Sequence, residues 1–194
     1  MKKRTGFLAL IGFAALALFA APAIVLAEET PLPASSKVTI GGETPLEAEV
    51  ELKIGDTAPD FSLPNLVTDK MESLKDYLGK PTVLFFIQSA CYSCLQEAKA
   101  LKTLKEQYAD INVLAVGVDL LGKPMLVSWA THNSLNYPVL LDPIFSVPEK
   151  YGFSYTPSSV IIDKDGKIAW IHAGFKPTDI QLFEDKIKEL LGKK

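Results

Sequence analysis

The first long apolar run, Phe7 to Ala21, follows Met1-Lys2-Lys3-Arg4 and is broken by Pro22 ahead of Val25-Leu26-Ala27. After it the pattern changes. Residues 28–49 are rich in Pro, Ser, Thr, Glu and Gly, with Pro31, Pro33 and Pro45 spread through them, which predicts a linker or loosely ordered arm. Within it only Val38-Thr39-Ile40, ahead of Gly41-Gly42, has the pattern of a short strand. Val50, Leu52 and Ile54 then alternate with Glu51 and Lys53, the period of a half-buried strand. Gly55 to Leu63 reads as an extended lead-in to the folded part.

From Pro81 onward apolar runs of two periods alternate. Thr82 to Ile87 is continuously apolar, as strands buried on both faces of a parallel sheet are. Residues 92–108 carry Leu95, Ala98, Leu101, Leu104 and Tyr108 on one helical stripe. Asn112 to Val118 is a second buried strand ending at Asp119, Pro124 to His132 is helical, and Tyr137 to Leu141 is a short strand stopped by Asp142-Pro143. Val147 to Tyr151 supplies a turn or two of helix. Ser158 to Ile162 and Lys167 to His172 are strands joined by Asp163-Lys164-Asp165-Gly166, a hairpin turn because Asp-Gly accepts positive φ. Residues 178–191 close the chain as a helix with Ile180, Phe183, Ile187 and Leu190 inward. The order β-α-β-α-β, hairpin, helix predicts one α/β domain over residues 50–194, a central mixed sheet with helices on both faces. No internal repeat interrupts it.

The leader changes how composition is read. A basic start, an apolar core and small residues at the −3 and −1 positions are the parts of a secretory signal peptide, cleaved here after Ala27. The alternative is an uncleaved anchor, since Gly6 to Ala27 is nearly long enough to span a bilayer. Either way residues 1–27 direct the folded part out of the cytoplasm, to the periplasmic or cell-surface side of the membrane. The 48% hydrophobic content is inflated by this segment and implies no membrane domain elsewhere. Beyond Ala27 stand 17 basic against 23 acidic residues, a formal net charge of −6, and no arginine at all. A nucleic-acid partner is excluded by the lack of a basic patch, and a bidentate arginine clamp by the lack of arginine.

The chemistry lies at Cys91 and Cys94, the two cysteines of the chain, placed where the strand ending at Ile87 gives way to a helix. A helix N-terminus carries partial positive charge and unpaired N–H groups, so a sulfur there is stabilised as thiolate, the reactive form. Cys91 is therefore the candidate nucleophile. Cys94, one helical turn on, can reach it and close a disulfide. Three other readings compete. A structural cross-link over so few residues removes little unfolded-state entropy, roughly 2 kcal/mol against about 3 for a fifteen-residue loop. A metal half-site needs two more ligands, and His132 and His172 show no ligand spacing. A pair of unreactive buried cysteines does not suit a helix start.

Taken together, these residues resemble a known family. A strand leading into Cys-x-x-Cys, Thr156-Pro157 some sixty residues on, then a hairpin and a helix are similar to the thioredoxin fold. Ala58-Pro59-Asp60-Phe61, the strand from Val113 to Asp119, Tyr137 to Pro143, and Ile161 to Ile168 resemble the exported thioredoxin-like proteins of the TlpA/ResA type, within the wider AhpC/TSA and redoxin-like group. These are bacterial thiol–disulfide oxidoreductases, several tied to cytochrome c maturation. The resemblance spans residues 54–192. It implies that Cys91 attacks and Cys94 resolves, the two forming a redox-active disulfide, and that Glu97 relays protons and adjusts the cysteine pKa values. It makes Thr156-Pro157 a cis-proline loop offering backbone hydrogen bonds to a substrate chain, with Tyr92 and Ser93 beside it as further substrate contacts. It implies a disulfide-containing protein substrate such as apocytochrome c, a membrane thiol electron donor, a possible N-terminal tether, a monomer, and no cofactor or metal.

Several residues depart from the family pattern. Gln88-Ser89-Ala90 stands where a tryptophan usually precedes the first cysteine, and Tyr92-Ser93 where the dipeptide commonly ends in proline. Ser93 restores an N–H and adds a hydroxyl, and donors aimed at Cys91 would favour the reduced form and a more oxidising pair. Phe85 stands six residues before Cys91, where thioredoxins bury an acid, which removes one proton acceptor for Cys94 and adds interest to Glu97. Lys99 replaces a helix-kinking proline. His132 and His172 are expected to be surface or structural residues, Trp129 and Trp170 packing residues. Asp119 lies at a strand end and could approach the site but is assigned no role. Two other functions remain open. A peroxiredoxin-like peroxidase shares the Ala58 to Phe61 lead-in, but this chain has Gln88 where those enzymes place threonine or serine, and lacks their arginine. A copper-delivery protein on the same fold would use a longer cysteine spacing and a placed histidine.

Overall fold

The computed structural model describes residues 52–193. The signal peptide or anchor of residues 1–27, the arm of residues 28–49 with its Val38–Ile40 strand, and the start of the strand expected from Val50 lie outside them. Two short strands, β1 (Ser62–Pro64) and β2 (Met71–Ser73), form an antiparallel pair followed by a 3-10 turn at Leu74–Tyr77. Then come β3 (Thr82–Ile87), α1 (Tyr92–Gln107), β4 (Asn112–Gly117), α2 (Gly122–His132), β5 (Val139–Leu141), α3 (Ser146–Lys150), β6 (Ser158–Ile162), β7 (Ile168–Ala173) and α4 (Ile180–Leu190).

The main sheet runs β5-β4-β3-β6-β7. β3, β4 and β5 are parallel, and β6 and β7 return antiparallel, so the sheet is mixed as its connections dictate. β3 lies at its centre and every one of its residues is buried. Successive side chains on a strand point to opposite faces. Val83, Phe85 and Ile87 therefore join one core with Ala98, Leu101, Leu126, Phe183 and Ile187, beneath α1, α2 and α4. Leu84 and Phe86 join the other with Leu114, Val116, Val147, Tyr151 and Phe153, beneath α3. The lead-in completes that second layer: Ala58 and Phe61 are buried there, and the Tyr151 hydroxyl donates to Pro59 O at 2.7 Å. α2 comes so close to the sheet that a Cβ on Gly117 would meet Leu126 Cδ1 at 2.5 Å.

The described part of the strand expected at residues 50–54 is not one. Lys53 N donates to Asp56 Oδ2 at 2.8 Å and Ile54 is 68% exposed, so the chain turns here before Thr57 bridges Lys167 beside β7. The chain meets the β7 edge only from Gly55 on, where Gly55 N donates to Ile168 O at 2.8 Å and Ala58 N to Gly166 O at 3.0 Å. The β1–β2 pair was not anticipated, because three-residue strands carry no period. Tyr137 precedes β5 instead of starting it, its ring edge-on to Phe85 and its hydroxyl donating to Ala98 O at 2.9 Å. The hairpin turn is as expected, with Gly166 at φ +82 and Asp163 Oδ1 accepting from Asp165 N and Lys167 N. Among the described residues no helix is long and apolar enough to cross a membrane.

Candidate active site

β3 and β4 end side by side, Ile87 opposite Gly117, and the candidate site grows from their loops. Cys91 N donates to Gln88 O at 3.2 Å, closing a turn that hands the chain to α1. Cys91 is the cap of that helix. Its backbone is extended, and its sulfur accepts from Cys94 N at 3.1 Å, as a serine or aspartate oxygen does at other helix starts. Cys91 and Cys94 are joined in a disulfide with Cα atoms 5.2 Å apart.

The Ser93 hydroxyl stands 3.4 Å from Cys91 Sγ. The donors on this sulfur are thus the Cys94 amide and the Ser93 side chain, and the donor role expected of the Ser93 N–H belongs to its neighbour instead. Across the gap Thr156 O lies 3.9 Å from Cys91 Sγ, and the Thr156–Pro157 peptide bond is cis. The Thr156 hydroxyl donates to Gln88 Oε1 at 3.4 Å, so the loops before Cys91 and Pro157 are tied together. Tyr92 points outward, 74% exposed. Ser93, Thr156 and Pro157 line one end of a cleft of about 500 Å³ that continues to His172, Phe175, Lys176 and Asp179. Ala90 and Ser89 border a second cleft lined by Leu121, Met125, Trp129 and His132.

Beneath the disulfide the inward face of the helix is apolar but for one carboxyl. Cys94 and Glu97 are both fully buried, with Ala98, Leu101 and Leu104, whereas Leu95 and Tyr108, expected in the core, are only half-buried. Glu97 Oε1 accepts from the Ser159 hydroxyl, while Oε2 has no hydrogen-bond partner among the described residues. Burial pushes the Glu97 carboxyl up to about 8; the Ser159 hydroxyl pulls the other way and the charge of Asp179 adds to the rise. Ser159 pairs with Phe85 across β3 and β6, so the polar neighbour missing at Phe85 is supplied from the adjacent strand. Sequence reasoning missed Ser159. The signal was there in Ser158-Ser159, two hydroxyls heading an otherwise apolar strand.

Asp119 was given no role and has one in the structure. Its Oδ2 accepts from both Ser89 N, at 2.9 Å, and the Ser89 hydroxyl, and its Oδ1 from Leu121 N at 2.9 Å. Burial alone would raise this carboxyl, but the Ser89 hydroxyl and the Leu121 and Ser89 amides outweigh it and hold it below the usual carboxylate range. Of the histidines, His132 borders the second cleft, and His172 is half-buried, stacked on Trp170 and 3.1 Å from Asp179 Oδ2. Among the described residues no three His, Cys, Asp or Glu side chains cluster as a metal site.

A model of the AhpC/TSA family matches residues 54–171. The chain is 33% identical over 137 residues to a thiol-disulfide oxidoreductase ResA from Geobacillus thermodenitrificans, covering 68% of this chain and 76% of that protein. It is 31% identical over 112 residues to a ResA from Bacillus thuringiensis subsp. konkukian, covering 57% of this chain and 64% of that one, so less than two thirds of the Bacillus relative has a counterpart here. Among solved structures it is similar to a Chlorobium tepidum protein described as a thiol:disulfide interchange protein DsbE, with TM-score 0.69 and 30% identity over 73% of this chain and all of that one.

Proposed function

The chain belongs to the AhpC/TSA family and is a thiol–disulfide oxidoreductase, and on that premise we propose that it acts outside the cytoplasm as a reductant of protein disulfides. The observation that carries this reading is the asymmetry of the Cys91–Cys94 pair: one sulfur half-exposed at a helix start beside Thr156 and Pro157, the other fully buried on the face of α1 that also buries Glu97. The Cys91 thiolate attacks a substrate disulfide sulfur; that S–S bond breaks, a mixed disulfide forms, and the first substrate sulfur leaves and takes up a proton. Cys94 then gives its proton to the Glu97 carboxylate and attacks Cys91 Sγ. The second substrate thiol is released and Cys91–Cys94 ends oxidised, two electrons having passed to the substrate. Glu97, with its raised pKa, is suited to hold and return that proton near neutral pH. A substrate chain lying over Pro157 would place its neighbouring side chains in the cleft toward His172 and Lys176.

The leader, a basic start and an apolar run ending at Val25-Leu26-Ala27, supports a protein working at the membrane's outer side, tethered or free. There a membrane thiol donor re-reduces the pair, and an apocytochrome c with an oxidised cysteine pair is a fitting substrate. The test is the reduction potential of Cys91–Cys94, by thiol trapping in graded glutathione buffers. A value well below about −220 mV supports a reductant needing a dedicated donor. A value near about −120 mV reverses the direction of electron flow, and no exchange in any buffer removes the reading altogether. Hydrogen peroxide consumption in a coupled assay separates the peroxidase alternative, which the absence of arginine from the described residues disfavours.

A further inference from the structure

The turn that delivers Cys91 is fastened from another strand. Val118 N donates to Ile87 O at 2.9 Å, so β3 and β4 stay paired to their ends, and beyond that last rung Ser89 and Asp119 face each other. Asp119 is 5% exposed. It uses both carboxylate oxygens, one on Ser89 through the amide and the hydroxyl, the other on Leu121 N, and thereby locks the loop before α1 to the loop before α2. Its partner Ser89 belongs to Gln88-Ser89-Ala90, the triplet that joins β3 to Cys91. Ser89 also sits inside the Gln88–Cys91 turn, two residues from the sulfur.

We propose that Asp119 is a positioning residue for the disulfide chemistry: acting through Ser89, it fixes the turn from which Cys91 projects, and its negative charge opposes thiolate formation there. A charge of the same sign nearby disfavours an ionised group, and a less stable thiolate means a less stable reduced form. Asp119 thus makes the pair more reducing. It works against the Cys94 amide and the Ser93 hydroxyl, which stabilise the same sulfur's anion. The balance of the two sets the potential.

The inference rests on the redox reading of Cys91–Cys94, and the experiment separates the two. The full chain, Asp119→Asn and Ser89→Ala are equilibrated with graded glutathione buffers, and each reduced form is alkylated with iodoacetamide at one fixed pH. Asp119→Asn keeps the shape and removes the charge. It is expected to shift the equilibrium about tenfold toward the reduced form, or about 30 mV for a two-electron couple, and to speed alkylation of Cys91. Ser89→Ala removes one donor, leaves more of the carboxylate's charge unbalanced, and is expected to shift the equilibrium about twofold the opposite way. Opposite signs are the signature, because a merely structural staple moves both variants alike or neither. Shifts of one sign, or an Asp119→Asn potential equal to wild type, overturn the proposal. Should Asp119→Asn fail to fold, Ser89→Ala alone decides, and no shift or a shift toward the reduced form refutes it. Failure of the redox reading would look different, with no exchange in the unaltered chain.

Discussion

The two sulfurs of one disulfide sit in opposite surroundings, though a single turn of helix separates them. Cys91 caps α1 at the surface, with an amide at 3.1 Å, a hydroxyl at 3.4 Å and the carbonyl of Thr156 at 3.9 Å. Cys94 has no exposure, packs with Ala98 and Leu101, and has a buried carboxyl one turn further along. A sulfur at a helix start surrounded by donors is a good thiolate, whereas one buried in apolar surroundings is not. Residue spacing alone thus produces an attacking group and a resolving group. The reach of α1 into the core buries the second sulfur together with the Glu97 carboxyl, to which the proposed mechanism gives its proton.

The largest effects come from removing either end. Cys91→Ser is expected to abolish exchange, because no sulfur remains where a substrate disulfide can approach. Cys94→Ser is expected to keep the first step and lose the second, so the mixed disulfide accumulates and is visible by mass spectrometry under non-reducing conditions. An adduct that forms on Cys94 in the Cys91→Ser protein would break the comparison outright.

Next comes the buried carboxyl. Glu97→Gln is expected to slow resolution of the mixed disulfide about a hundredfold, the low end of the range for a lost acid–base group, and to remove the limb near pH 8 from the rate profile. Its stability signature has a definite sign. The folded value near 8 lies above the ordinary 4.5, so the native state keeps a proton that the unfolded chain releases. The stability contributed is complete below about pH 4.5 and is lost as pH rises through about 8, on the order of 5 kcal/mol in all. Urea unfolding at several pH values checks this; the wild type weakens toward alkaline pH while Glu97→Gln lacks that slope. Ser159→Ala follows with a smaller effect. It removes the hydroxyl that lowers the Glu97 value, and the limb is expected to move upward.

How much of this was legible depends on where each signal resides. β3, α1, β4, the β6–β7 hairpin and α4 follow from period and turn chemistry, and the site's two cysteines from their place at a strand–helix junction. The helical stripe of α1 was legible only in part. Leu95 and Tyr108 were read inward because they are apolar, yet the face that packs on the sheet is Cys94, Glu97, Ala98, Leu101 and Leu104. Burying an acid runs against composition, and only the neighbouring strand's Ser159 explains how it is tolerated. Asp119 was legible as a strand-end acid but its role was not: its partner Ser89 is thirty residues away, and nothing in either local pattern announces a carboxylate that accepts three hydrogen bonds. Pairings between loops belong to tertiary structure.

The smallest effect tests the polar surroundings of Cys91 without touching Cys94. The Ser93 hydroxyl is one donor among two, and a net hydrogen bond is worth about 1 kcal/mol, so Ser93→Ala is expected to shift the glutathione equilibrium about threefold toward the oxidised form. Global stability should change by about 0.5 kcal/mol or less, since Ser93 is half-exposed. Ser93→Pro extends the test, because proline is accepted in the first turn of a helix and removes the N–H as well as the hydroxyl. The amide at Cys91 Sγ belongs to Cys94, so the proline variant should match the alanine one. A further shift in Ser93→Pro would mean that the Ser93 N–H also reaches the thiolate once the disulfide opens, and that the surroundings of Cys91 rearrange on reduction while those of Cys94 do not.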